Sequence, residues 1–167
     1  SYGIYGPIYE LCLGDAIPGT EEYIDSEKYQ LRHFDLENPG NIVDFIRRVN
    51  QIRSEHRALR RGSLRFVPVD NDELIAYLRS DEDSGEILLV VVALSPHYRC
   101  SGWVELPLEE LGADPGLPYQ MHDLLGGGRF LWSGSRNYVE IDPAAVPAHI
   151  FRLRRRLRTE QDFDYYL

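Results

Sequence analysis

The chain has 167 residues, so it can bury one sizeable hydrophobic core, and its 43% hydrophobic and 27% charged residues are ordinary for a soluble globular protein. Eighteen basic residues against 27 acidic ones give a net charge of −9, which repels a phosphate backbone and excludes nucleic acid as an expected partner. The longest apolar run, residues 87–94, is far shorter than the roughly 20 residues of a membrane-spanning helix, so we expect no membrane partner.

The sequence begins at Ser1, without a Met and without a basic and apolar leader. We interpret it as a fragment, a processed form or the remainder of a tag, and we expect no secretory signal. The two cysteines, Cys12 and Cys100, lie in different segments. This placement favours reduced thiols in a cytoplasmic protein over a disulfide.

Residues 1–40 show little periodicity and are interrupted by glycine and proline. A segment of this length without regular structure is usually functional or disordered, and its tyrosines argue against disorder. Within it, residues 21–29 (EEYIDSEKY) combine carboxylates, two tyrosines and Lys28, which is the only lysine of the chain. Such groups bind sugars, because carboxylates and lysine bond hydroxyls while tyrosine offers an apolar face. A solvated acidic loop and a compositional preference for arginine are the open alternatives.

Residues 41–61 carry a consistent set of helix signals. Asn41 can cap the first turn, and Asp44 follows three residues later in a variant of the capping box. Arginines crowd the last turn, and Gly62 fits the stop position. The sequence therefore predicts one amphipathic helix, with an apolar stripe formed by Ile42, Phe45, Ile46, Val49, Ile52 and Leu59.

The hydrophobic pattern changes after residue 62, where short apolar segments alternate with turn residues. They predict an antiparallel β-sandwich with strands over residues 64–69, 74–79, 87–94, 103–106, 119–124, 130–132, 138–141 and 148–154. The all-apolar segment 87–94 is typical of a central strand, and the glycines at 126–128 indicate a hairpin turn. We therefore divide the chain into residues 1–62, residues 63–154 and a basic-then-acidic tail, 155–167.

Recognisable catalytic and metal motifs are missing from the sequence. The five histidines have no metal-ligand spacing, and there is no nucleophile elbow, phosphate loop or dinucleotide fingerprint. We therefore assign no catalytic residue, no metal and no cofactor to this chain.

Several segments carry a family resemblance. Residues 2–7 (YGIYGP), 18–23 (PGTEEY) and 25–29 (DSEKY) resemble the end of the catalytic barrel of bacterial α-1,4-glucan:maltose-1-phosphate maltosyltransferases. These enzymes belong to the α-amylase superfamily, of glycoside hydrolase family 13 type. The later segments 123–126 (DLLG), 132–134 (WSG), 137–139 (NYV) and 148–151 (AHIF) are similar to their C-terminal β-sandwich. Phe34 and Ala93 depart from the pattern, since Trp and Asn are expected there.

The resemblance implies that residues 1–62 are the last active-site loop and helix of a (β/α)8 barrel, followed by an α-amylase-type C-terminal β-sandwich. It implies retaining transfer of maltosyl units from α-maltose 1-phosphate to α-1,4-glucans. The family's catalytic Asp and Glu lie on earlier barrel strands, so none maps here and the fragment alone is expected to be inactive. Lys28 and Tyr29 map to substrate-binding positions of the donor pocket. The implied partners are the two substrates and the missing N-terminal barrel, and a homodimer of the full-length protein is an open alternative.

Two other functions remain open at this stage. The chain could be a free-standing carbohydrate-binding module that uses Trp103, Trp132 and Tyr98, although both tryptophans could instead be core residues. It could also be the tail of another α-amylase-type hydrolase or of a trehalose-forming isomerase.

Overall fold

The computed structural model describes residues 6–22, 24 and 33–154. Within these ranges the chain forms three short or medium helices and eight strands. The helices are α1 (Gly6–Glu10), α2 (Val43–Glu55) and α3 (Arg57–Arg61). The strands are β1 (Ser63–Phe66), β2 (Leu74–Asp81), β3 (Glu86–Ala93), β4 (Cys100–Glu105), β5 (Tyr119–Asp123), β6 (Arg129–Trp132), β7 (Arg136–Ile141) and β8 (Ala148–Arg154). The chain divides into two compact units, the first ending at Gln51 and the second beginning at Ile52.

In the first unit, the predicted cap at the start of α2 is confirmed. The Asn41 side-chain oxygen accepts a hydrogen bond from the Val43 N–H at 3.0 Å, which satisfies one of the free donors of the first helical turn. Asp44, the second residue of the predicted capping box, instead pairs with Arg47 one turn along the helix. Ile42 and Phe45, from the predicted apolar stripe, are each 36% exposed.

The prediction of one continuous helix up to residue 61 was wrong, because the backbone adopts an extended conformation at His56 (φ −108°, ψ 109°). We attribute this break to Glu86, which lies 30 residues further along the chain. His56 Nδ1 is 2.7 Å from Glu86 Oε1, and Glu86 Oε2 accepts the Ala58 N–H at 3.3 Å. Glu86 thus holds the buried imidazole out of the helical path and satisfies a backbone donor at the start of α3.

Gly62 ends α3 as predicted, but the reason is steric crowding and not a left-handed backbone conformation. Its backbone φ of −66° is open to any residue, and its N–H donates to the Ala58 carbonyl. A Cβ at this position would lie 2.5 Å from the Ala58 carbonyl oxygen and 2.6 Å from the Ser80 carbonyl oxygen. Only glycine lets the chain pass this close to β2.

The strands of the second unit form two sheets within the described part of the chain. One has six strands in the order β1-β2-β3-β8-β5-β6, and the other pairs β4 with β7. Neighbouring strands in both sheets run antiparallel. The strand β8, the last strand of the described residues, lies between β3 and β5 and joins the two halves of the large sheet. The predicted hairpin at residues 126–128 is confirmed, since β5 and β6 pair directly.

The main core fills the space between the two sheets. Leu89, Val91 and Phe151 of the large sheet pack in one apolar cluster with Val104 and Ile141 of the small one. The predicted antiparallel β-sandwich is therefore confirmed. Burying each of these side chains contributes about 2 kcal/mol relative to an exposed position.

The opposite face of the large sheet carries a second, smaller cluster. Val90 and Ile150 pack there with Ile52 from α2, and Leu59 of α3 lies against them. The strand β3 is thus covered on both faces, which explains its unbroken apolar sequence. Residues 52–62 belong to the same compact unit as the sheets. The assignment of residues 1–62 to a barrel stays a prediction, and the tail 155–167 lies outside the described residues.

Candidate functional site

The two residues predicted to bind substrate, Lys28 and Tyr29, lie outside the described residues. Their role therefore stays a prediction. The described residues just before them form a surface turn: the Thr20 hydroxyl donates to the Ile17 carbonyl at 3.1 Å and accepts the Glu22 N–H at 3.2 Å. The two carboxylates that open the predicted sugar loop, Glu21 and Glu22, are both exposed.

The three aromatic residues proposed for a binding module have different environments. Trp132 is only 7% exposed and packs against Tyr119 and Phe151 in the core. Trp103 is 44% exposed and Tyr98 is 73% exposed. Trp132 is therefore a core residue, whereas Trp103 is not.

Trp103 lies on the outer face of the two-stranded sheet. Its direct cross-strand partner is Tyr138, which is also about half exposed, and the two rings meet edge to face with centroids 5.6 Å apart. Along the same face, Glu105 is opposite Arg136. The alternate residues of β4 and β7 point into the core, so this face follows directly from the period of two in a strand.

Asp70 organises this face from the loop between β1 and β2. Its Oδ1 accepts the Trp103 backbone N–H at 2.6 Å, and its Oδ2 accepts a hydrogen bond from Arg136 Nη2 at 2.7 Å. The Arg136 guanidinium in turn lies 5.2 Å from the centre of the Trp103 ring, within the range of a cation–π contact. These contacts border an open depression of about 320 Å³, lined by Pro68, Val69, Asp70, Trp103, Glu105 and Arg136.

The electrostatics of the depression keep Asp70 ionised. The hydrogen bond from the Trp103 N–H lowers the pKa of Asp70. Burial opposes this shift, and the hydrogen bond and charge of Arg136 lower the pKa further. With Glu105 and Arg136 the lining carries two carboxylates and one guanidinium. The depression therefore offers an aromatic surface, acceptors and donors, which are the groups that recognise a polyhydroxylated ligand. We call this set of six lining residues together with Tyr138 the Trp103 face.

A second polar cluster ties β8 to the turn after β5. His149 Nδ1 lies 2.7 Å from Asp123 Oδ2, and its Nε2 lies 3.1 Å from the Glu140 carbonyl oxygen. Asp123 Oδ1 also accepts the backbone N–H groups of Leu125 and Ile150, at 3.1 and 3.3 Å. Both partners of the imidazole are acceptors, so the protonated ring, which carries a hydrogen on each nitrogen, satisfies both contacts.

The two charges of this pair stabilise each other. Burial works against the charged ring, but the bonds to Asp123 and to the Glu140 carbonyl outweigh it and raise the pKa of His149. Burial also opposes ionisation of Asp123, yet the bond from His149 and the turn N–H groups lower the pKa of Asp123. We assign this pair a structural role, because its groups are used in holding β8 to the turn. In the sequence, both residues were noted as parts of the segments 123–126 and 148–151, and His149 also as one of the five histidines without metal-ligand spacing.

Over residues 6–22, 24 and 33–154, no group of three or more His, Cys, Asp or Glu side chains could hold a metal ion. Within the same residues no helix is long and apolar enough to span a bilayer. Cys12 and Cys100 are both free thiols, the first exposed and the second buried.

The fold has a counterpart among solved structures. An α-amylase from Anoxybacillus shares it with a TM-score of 0.54 over 73% of this chain and 25% of that chain, at 16% sequence identity. The family model described as GLGE, C-terminal, matches residues 66–153, and the chain belongs to that family. The family resemblance inferred from the sequence is thereby confirmed.

Relatives extend the match beyond the β-sandwich. The chain is 46% identical to the α-1,4-glucan:maltose-1-phosphate maltosyltransferase of Methylacidiphilum infernorum, over 92% of this chain and 23% of the relative. It is 45% identical to the enzyme of that name from Myxococcus xanthus, over 95% of this chain and 24% of the relative. The chain therefore spans about a quarter of the length of the curated relatives that it matches.

Proposed function

We propose that this chain is the C-terminal part of a retaining maltosyltransferase that moves maltosyl units from α-maltose 1-phosphate to α-1,4-glucans. The observation that carries the proposal is the family match over residues 66–153, together with relatives of that name at 36–46% identity. The alternatives of another α-amylase-type hydrolase or an isomerase are less well supported, because these relatives are named as maltosyltransferases.

In this proposal the catalytic carboxylates lie in a barrel that precedes this chain, and the β-sandwich stabilises the barrel. Two features of the first compact unit support such a partner. Ile42 and Phe45 present apolar surface to solvent, and one carboxylate oxygen of Glu10 is buried without a hydrogen-bond partner among the described residues. A barrel packed against this unit would cover Ile42 and Phe45 and would supply a hydrogen-bond donor to the carboxylate of Glu10.

Lys28 and Tyr29 would bind the maltosyl donor. An ammonium group donates to sugar hydroxyls and to phosphate oxygens, and a tyrosine ring offers a flat apolar surface with a polar end. We also place the protein in the cytoplasm. The exposed free thiol of Cys12 supports this, since a reducing compartment keeps such a thiol free.

The test is phosphate release from α-maltose 1-phosphate in the presence of a maltooligosaccharide. The 167-residue chain alone should release none, whereas the longer protein that includes the barrel should release it. In that longer protein Lys28→Ala should raise the KM for the donor about tenfold, which corresponds to the loss of one charge-assisted contact. Glu37→Ala, which changes an exposed carboxylate outside residues 21–29, is the matched control and should leave KM within about twofold. Unchanged donor affinity in Lys28→Ala would show that Lys28 does not bind the donor. Release of free maltose together with phosphate, without lengthening of the maltooligosaccharide, would show hydrolysis and contradict the transfer reaction.

A further inference from the structure

We propose that the Trp103 face is a binding site for a neutral α-1,4-glucan chain. The inference rests on the proposed function for its ligand class, because a maltosyltransferase acts on a glucan acceptor. Its structural basis is independent of the donor residues, since every residue of this face belongs to the described β-sandwich.

The apolar part of the site is the pair of exposed rings. Trp103 and Tyr138 are 44% and 49% exposed, and their edge-to-face contact holds two ring surfaces at an angle of 64°. Large aromatic side chains are buried on average, as Trp132 is here. Rings on the outer face offer the flat apolar surface on which the C–H face of a pyranose packs.

The polar part of the site is already in position. Asp70 is fixed by the Trp103 backbone N–H, and it fixes Arg136, which lies over the indole ring. The carboxylates of Asp70 and Glu105 accept hydrogen bonds from hydroxyls, and the guanidinium of Arg136 donates to ring and hydroxyl oxygens. The Asp70 and Arg136 side chains are therefore partly ordered before a ligand binds, which reduces the cost of binding.

The charges select an uncharged ligand. Asp70, Glu105 and Arg136 sum to −1, and the Arg136 charge is already balanced by its bond to Asp70. A phosphorylated sugar is repelled by this arrangement, whereas a neutral glucan is not. The site is therefore assigned to the glucan acceptor, and α-maltose 1-phosphate is excluded from it.

The test is a titration of the 167-residue chain with maltoheptaose, followed by tryptophan fluorescence and by calorimetry. We expect the fluorescence to change with saturation in the millimolar range, typical of an open site that buries little of its ligand. Trp103→Phe should abolish the fluorescence response, because the remaining Trp132 is buried. By calorimetry, Trp103→Ala and Tyr138→Ala should each weaken binding about tenfold or more.

The matched control is Tyr98→Ala, which removes a more exposed aromatic ring from outside the depression and should leave the affinity within about twofold. Thermal unfolding of each variant shows whether it folds, and Tyr138→Ala gives a second route if Trp103→Ala does not. α-Maltose 1-phosphate should not bind measurably. Equal loss of affinity in Tyr98→Ala, or unchanged affinity in both Trp103→Ala and Tyr138→Ala, would overturn the proposal.

Two further outcomes separate this site from the proposed function. Maltoheptaose binding that Trp103→Ala abolishes, in a longer protein without maltosyl transfer, would support the site and contradict the proposed reaction. Transfer activity with no maltoheptaose binding to this chain would support the reaction and overturn the site. Self-association that Trp103→Ala abolishes, measured by sedimentation without any sugar binding, would also overturn it in favour of a contact between copies.

Discussion

His149 donates a hydrogen bond from Nδ1 to Asp123 Oδ2 at 2.7 Å, across 26 residues of sequence. The pair joins the last strand of the sheet to the turn between β5 and β6, and its two pKa values shift in opposite directions. The contribution of this pair to the free energy of unfolding therefore decreases at low pH, where Asp123 becomes protonated, and again as pH rises and His149 loses its proton.

The first prediction concerns that pH dependence. The folded-state pKa of His149 lies above its ordinary value of 6.5, so its stabilisation is complete below pH 6.5 and is lost as pH rises through the folded pKa. The folded-state pKa of Asp123 lies below 3.8, so its stabilisation is present above pH 3.8 and is lost as pH falls through the folded pKa. The pair therefore stabilises the fold most between these limits.

Urea unfolding of the wild type and of His149→Gln, from pH 4 to about pH 9, measures this contribution. The difference in unfolding free energy should be largest near pH 5, at about 2 kcal/mol, and should shrink above pH 6.5. His122→Gln is the control. Burial and neighbouring arginines lower the pKa of His122, so its contribution to the unfolding free energy should have the opposite dependence on pH. A difference between wild type and His149→Gln that stays constant with pH would show that His149 is neutral in the folded protein.

The second prediction concerns Gly62. Gly62→Ala should destabilise the second compact unit by about 2–3 kcal/mol, because the added methyl group meets two backbone carbonyl oxygens that cannot move aside independently. Gly14→Ala is the control, since a Cβ there meets nothing within 4 Å, and its effect should stay within about 0.5 kcal/mol. Thermal unfolding compares the two, and equal stability of both variants would mean that α3 shifts freely on β2.

The third prediction concerns the buried phenol of Tyr119. Its hydroxyl donates to the Gly134 carbonyl at 2.9 Å and accepts a bond from Asn137 Nδ2 at 2.9 Å. Burial raises the pKa of Tyr119 to about 12. Tyr119→Phe should cost about 1–2 kcal/mol, whereas Tyr98→Phe on the surface should cost nothing measurable. In ultraviolet titration the wild type and Tyr119→Phe should show the same tyrosinate absorbance up to about pH 11. A difference with a midpoint near pH 10 would contradict the buried hydrogen-bonded phenol.

The fourth prediction concerns the junction of α2 and α3. Glu86 accepts hydrogen bonds from both His56 and the Ala58 N–H, so Glu86→Ala should leave a buried imidazole and a helix-start donor unpaired. We expect a loss of about 2–3 kcal/mol and faster hydrogen exchange at Ala58. Glu82→Ala, in the exposed turn between β2 and β3, should change neither. Retained protection at Ala58 in Glu86→Ala would show that the junction is held by packing alone.

Local patterns in the sequence predicted the strands well because each strand shows its own alternating or, in β3, continuous apolar pattern and is bounded by turn residues. The break at His56 could not be predicted in this way, since the residue that causes it is 30 positions away on another strand. For the same reason the sequence treated Trp103 and Trp132 alike. Trp103 is exposed and Trp132 is buried because they occupy different faces of their sheets, and the face follows only from the register of the strands.

The candidate site shows the same division between local and distant information. Asp70 and Arg136 are 66 residues apart in sequence, and neither carries a local signal that would mark it as part of a binding face. The prediction for Lys28 and Tyr29 rests on the family resemblance and stays a prediction.

The position of β8 sets the order in which this protein can fold during synthesis. The strands β1 to β3 and the hairpin β5–β6 can form as they leave the ribosome, but the strand that bridges them is the last one made. Until residue 154 has emerged, one edge of β3 and one edge of β5 remain open to other chains. A nascent chain stalled before residue 148 should therefore be a client of chaperones, and a stop codon there should yield aggregate in place of a smaller folded domain.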